Sequence, residues 1–124
     1  MDEDVRTLQR IYERFNARDI DAVLTALSDD VAWANGMEGG HVHGHEAVRD
    51  YWTRQWAIVS PRVEPLAFRR EPDGAILAEV RQSVRDLDGS PLAGQAHGLA
   101  DRIVGHVFQF RQGLIVRFDI RDLA

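Results

Sequence analysis

The sequence predicts an α+β fold, and three observations carry that expectation. Apolar residues recur at helical spacing through most of the first half of the chain. Period-two alternation takes over in the second half. Turn signals, Glu71-Pro72-Asp73-Gly74 above all, cut that half into strand-sized pieces. Helices followed by a run of antiparallel strands is an α+β pattern.

Taken in order, Val5, Leu8, Ile11, Tyr12 and Phe15 mark an amphipathic helix from Asp2 to about Asn16. Arg18-Asp19 interrupts it, and Asp19 is placed to cap a second helix carrying Ile20, Val23, Leu24 and Leu27. Ser28-Asp29-Asp30 should end that helix. Val31–Asn35 reads as a short strand with Val31, Trp33 and Asn35 on one face, and Gly36–Gly44 as a glycine-rich connection. A third helix is expected from about His45 to Val59, with Val48, Tyr51, Trp52 and Gln55 on its apolar stripe and Ser60-Pro61 as its stop. Strands follow at Arg62–Arg70 and Ala75–Asp86. After the turn at Asp88-Gly89-Ser90-Pro91 come a small-residue loop and a strand around His106. A turn at Gln112-Gly113 then leads into a last strand, Leu114–Ile120.

Composition narrows the function classes. The chain has 124 residues, the size of one domain, so residues 1–124 are read as a single unit. A net charge of −5, with arginines interleaved among acids, argues against a nucleic-acid partner. There are no cysteines, which excludes disulfides and thiolate metal sites and fits a cytoplasmic setting. No apolar run approaches the roughly 18 residues that a membrane span needs, so no membrane partner is expected.

His106 is the residue that points to chemistry. In Ile103–Phe110 it shares a face with Val104, Phe108 and Phe110, the face that should point into the core. An imidazole there either bonds to a neighbouring group or lines a cavity, because an unpaired buried polar atom costs roughly 1–3 kcal/mol.

Several local motifs then come together: Ala17–Leu24, Leu27–Trp33, His43-Gly44-His45-Glu46-Ala47-Val48-Arg49-Asp50-Tyr51-Trp52, and Gly105–Phe110 with Gly113-Leu114-Ile115. In order and spacing they resemble the nuclear transport factor two-like superfamily, in its SnoaL-like and ketosteroid-isomerase-like branch. The resemblance implies a cone-shaped fold in which a curved antiparallel sheet wraps the N-terminal helices around a pocket. It also implies a homodimer. It leaves activity open, because this scaffold hosts isomerases, cyclases, dehydratases, hydrolases and non-catalytic binders. The isomerases' carboxylate base matches Asn35 here, and a carboxamide does not abstract a proton at neutral pH. Their second acid falls at His106, and their tyrosine donor at or beside Ile11, one residue from Tyr12.

On that fold the catalytic candidates are His106, as acid or base, and Asn35, as a polar anchor. Trp33, Trp52, Gln82, Phe108, Phe118 and Tyr12 are the candidate substrate-binding wall, an aromatic cavity with few polar groups. Gln82 stands out because it interrupts the apolar face of Ile76, Ala78, Val80 and Val84. His41, His43 and His45 would share one side of an extended segment, yet glycine flanks and a helix start argue against a metal site. The resemblance makes this stretch the loop leading into the third helix, with the pocket mouth as an alternative place for His41 or His43. His97, in the loop at 88–100, faces solvent by default, with a lid role as the alternative. Arg117, Asp119 and Arg121 should alternate on the outer sheet surface, opposite Val116, Phe118 and Ile120. The reading is a small-molecule pocket protein without metal or cofactor. It is either a cofactor-independent isomerase, cyclase, dehydratase or hydrolase acting on an apolar oxygenated compound, or a non-catalytic binder or dimeric association domain.

Overall fold

A computed structural model of the protein describes residues 3–36, 39–86 and 102–122. Helix α1 (Glu3–Asn16) buries Leu8, Ile11 and Tyr12 on one stripe, with Glu3 and Asp4 in its first turn at the positive end of its dipole. Asp19 caps α2 (Ile20–Leu24), its carboxylate accepting the Ala22 N–H at 3.2 Å. This helix is shorter than the periodicity predicts. Ala26 already accepts the Ile115 N–H at 2.9 Å, so Leu27 and Ser28-Asp29-Asp30 belong to strand β1 (Leu27–Ala34) rather than to a helix end.

The glycine-rich connection holds a short strand, β2 (His41–His43), antiparallel to β1. Helix α3 (Gly44–Trp56) then stops well before the proline expected to end it. Val59, Ser60 and Pro61 open strand β3 (Val59–Arg70) instead. Pro61 and Pro65 fit there because β3 is an edge strand, where a missing N–H donor is tolerated. Strands β4 (Ile76–Asp86), β5 (Arg102–Arg111) and β6 (Leu114–Asp122) complete a six-stranded sheet in the order β2-β1-β6-β5-β4-β3. The sheet is curved and unclosed, in the α+β arrangement expected. It is not wholly antiparallel, because β1 and β6 run parallel.

One register shift changes which residues face inward. Gln109 pairs with Arg117 but Phe110 pairs with Ile115, so Val116 is an extra residue in β6. The bulge puts Ile115 in the core and leaves Val116 half-buried, where simple alternation would bury Val116. Inner-face residues of the sheet meet Leu8, Ile11 and Tyr12 of α1 and Val48, Tyr51 and Trp52 of α3 in one core.

Two side chains tie the helices to the edge strand. Asn16 closes a pair of hydrogen bonds on Val63, donating to its carbonyl at 2.7 Å and accepting its N–H at 3.0 Å. Arg18, in a left-handed turn with φ 64°, donates to the Pro61 carbonyl at 2.6 Å and to Ser60 Oγ at 3.0 Å. Its guanidinium lies 5.0 Å from the centre of the Trp56 ring. Among the described residues no helix is long and apolar enough to cross a membrane. The loop at 88–100, with His97, lies outside the described residues.

Candidate functional site

The site starts with the alternation of β5, which turns His106 and Phe108 inward as its sequence predicts. Across the sheet, Phe118 of β6 pairs with Phe108, and Trp33 of β1 pairs with Phe118. The Trp33 and Phe118 rings stack with centres 4.2 Å apart, and Trp52 of α3 meets Trp33 edge-on at 5.2 Å. Such contacts add about 0.5–1.5 kcal/mol each beyond burial. His106 sits edge-on to Phe118 at 4.9 Å. From the opposite side α1 delivers Tyr12, whose hydroxyl lies 2.8 Å from His106 Nδ1.

These residues surround a cavity of about 120 Å³. That is the scale of an engineered core cavity of roughly 150 Å³ that binds benzene. Tyr12, Trp33, Trp52, Gln82, His106, Phe108 and Phe118 all line it. Asn35 does not. Strand β1 ends at Ala34, and the Asn35 backbone closes a turn, its N–H donating to Gly40 and its carbonyl accepting from Gly39, both at 2.9 Å. Ala34 and Gly36 form the wall there, and Asn35 lies one residue beyond the strand in which it was expected.

The cavity also takes in residues the sequence reading passed over as site residues: Ile11, Phe15, Tyr51, Gln55 and Ile120. Tyr51 and Gln55 were legible in principle, since they share the α3 stripe with Trp52. The Tyr51 hydroxyl accepts the Gly36 N–H at 3.0 Å and a Gln55 amide N–H at 3.4 Å. Exposed Gly36 and Ile120 mark the mouth, Ile120 being 39% exposed.

Among the described residues, none that lines the cavity is Asp, Glu, Lys or Arg. Burial pushes the His106 imidazole down to about 3, so it is neutral at physiological pH. Burial pushes the Tyr12 phenol well above its ordinary value, so it keeps its proton. The described lining residues therefore offer hydrogen bonds and aromatic surface but no formal charge.

His41 and His45 bond elsewhere. His41 Nε2 lies 2.8 Å from Asp119 Oδ1, and His45 Nε2 donates to the Leu27 carbonyl at 2.9 Å. Among the described residues no three metal-ligating side chains converge. Asp119 also accepts from Arg117 at 2.8 Å, and Arg121 donates to Glu71 at 2.8 Å, the ion pairs expected on the outer sheet surface. None of these residues lines the cavity.

Residues 8–118 match the SnoaL-like domain, so the chain belongs to the SnoaL-like domain family. No curated protein matches it. Among solved structures, a nuclear transport factor two-like protein of unknown function from Burkholderia pseudomallei is similar over 98% of this chain and 92% of its own. It is 27% identical, with a TM-score of 0.81. A putative polyketide cyclase from Silicibacter sp. is 26% identical over 97% of this chain and 89% of its own, with a TM-score of 0.73. TerC, co-crystallised with polyporic acid, shares the fold at 21% identity and a TM-score of 0.79, over 96% of this chain and 90% of its own.

Proposed function

We propose that this protein takes a small, neutral, largely apolar oxygenated molecule into the aromatic cavity and holds its polar group at His106. The observation that carries the reading is a neutral, buried imidazole facing a cavity lined, among the described residues, by no charged side chain. Such a site penalises an ionic ligand, because desolvating a charge without a partner is expensive. It favours a ring with one polar substituent, for which the indole and phenyl walls supply contact area. The similarity to a putative polyketide cyclase supports a ligand of this type.

Binding is the primary activity in this reading. Among the described residues the cavity wall lacks a ready general base: no carboxylate lines it, and protonating His106 is opposed by burial. If the protein also turns its ligand over, as an isomerase, cyclase, dehydratase or hydrolase, His106 acts by polarising a carbonyl or ether oxygen. The family resemblance supports a homodimer and the cysteine-free sequence a cytoplasmic setting, and sedimentation of the purified protein reads the first of these.

A thermal-shift comparison of wild type and His106→Ala tests the reading, with acetophenone, styrene oxide and 2-naphthol set against benzoate and benzylamine. The neutral oxygenated compounds should raise the melting temperature of the wild type more than that of the variant, and the ions should raise neither. Equal stabilisation by the charged pair, or no compound that distinguishes the two proteins, would contradict it.

A further inference from the structure

Among the described residues the Tyr12 hydroxyl has one hydrogen-bond partner, His106 Nδ1 at 2.8 Å, and both side chains are buried. A single proton lies between the two atoms, and counting protons decides whose it is. A neutral imidazole has one N–H and one bare nitrogen, while a phenol has one O–H and can also accept. If Nδ1 were the donor, the weaker acid would donate to the weaker base, and the phenol's own proton would have no acceptor among the described residues, a poorer pairing. If the phenol donates, Nδ1 is the bare nitrogen and the ring carries its hydrogen on Nε2.

That second arrangement leaves Nε2–H needing an acceptor, and the structure shows where one would come from. Among the described residues the one buried side-chain nitrogen or oxygen without a partner is Trp56 Nε1. His106 Nε2 is thus not sealed in the core. It opens on the cavity that the ring lines.

We propose that Tyr12 is a positioning residue that fixes His106 as its Nε2–H tautomer, so that the cavity presents a neutral hydrogen-bond donor and selects ligands with an acceptor oxygen, such as a ring ketone, quinone or epoxide. The inference rests on the pocket reading above and narrows its ligand class. With its lone pair committed to Tyr12, His106 cannot take a proton from a ligand. It can polarise a carbonyl, as neutral imidazoles do in other enzymes.

The test combines a tautomer measurement with a matched pair of probes. Nitrogen-15 NMR of histidine-labelled protein, with His106 assigned by the signals lost in His106→Gln, should show a protonated Nε2 and a bare Nδ1. In Tyr12→Phe that single tautomer should give way to a mixture. Acetophenone should bind the wild type about tenfold tighter than α-methylstyrene, which replaces its carbonyl oxygen with a CH₂ group, and the gap should shrink to about twofold in Tyr12→Phe. A wild-type ring protonated on Nδ1, equal affinity for the two probes, or an undiminished gap in Tyr12→Phe overturns this inference and leaves the pocket reading standing. Failure of both probes to bind the wild type overturns the pocket reading itself.

Discussion

The Tyr12 hydroxyl and His106 Nδ1, 94 positions apart in the chain, meet at 2.8 Å inside the core, with their rings nearly parallel at 10°. One comes from the first helix and the other from the fifth strand. Their contact joins the two layers of the fold at the one imidazole that lines the cavity among the described residues. What holds them in place, and what the cavity around them does, has measurable consequences.

Acid should destabilise the protein through His106. In the unfolded chain the imidazole takes up its proton near 6.5, but in the folded chain only at about 3. Between those values the unfolded state binds the additional proton, so stability falls as pH falls, by about 1.4 kcal/mol per pH unit from this group. Denaturant unfolding at pH 6.5 and pH 5 should show wild type losing about 2 kcal/mol more than His106→Gln. Asp119, whose carboxyl is held low by Arg117 and His41 against the opposing effect of burial, titrates in both proteins and cancels. Parallel pH profiles for the two proteins would reject a buried neutral His106.

The Asn16 clasp on Val63 sets how α1 lies on the sheet, one turn beyond Tyr12. Asn16→Ala leaves the buried Val63 backbone groups without their side-chain partners, and should cost about 1–3 kcal/mol in chemical unfolding. The same variant should loosen the Tyr12–His106 contact, visible as broadened His106 ring signals. A cost below about 0.5 kcal/mol, the range of ordinary surface substitutions, would show that α1 is held by packing alone.

Asp119 invites attention because it joins His41 and Arg117, a histidine–carboxylate pair of the kind found at catalytic centres. It lies on the outer sheet surface, and none of the three lines the cavity. Asp119→Asn should therefore cost no more than about 1 kcal/mol, the scale of a partly exposed ion pair. Ligand affinity should be unchanged, and a tenfold loss in the same thermal-shift assay would relocate the site.

Much of this architecture is written in local pattern. The α1 stripe of Leu8, Ile11 and Tyr12, the alternation that turns His106 and Phe108 inward, and Gln82 breaking an apolar face all read correctly from spacing. Asn35 misled because alternation puts it on the Trp33 face, but the strand stops one residue earlier, where backbone hydrogen bonds to Gly39 and Gly40 make a turn. Pro61 misled for a related reason. Its missing N–H reads as a helix stop, yet an edge strand accommodates it equally well, and edge status depends on the whole sheet. The Val116 bulge and the Tyr12–His106 contact are likewise products of tertiary assembly, which no periodicity reports.

The central claim is that the aromatic cavity is the binding site, and the indole N–H signals of the chain's three tryptophans test it most directly. Trp33 and Trp52 line the cavity and Trp56 does not. Titrating nitrogen-15-labelled protein with acetophenone should move the Trp33 and Trp52 signals along saturable curves with one dissociation constant, with Trp56 following only weakly through its stacking on Trp52. Signals for Trp33 and Trp52 that stay fixed while Trp56 moves, or three that never move, would contradict the account.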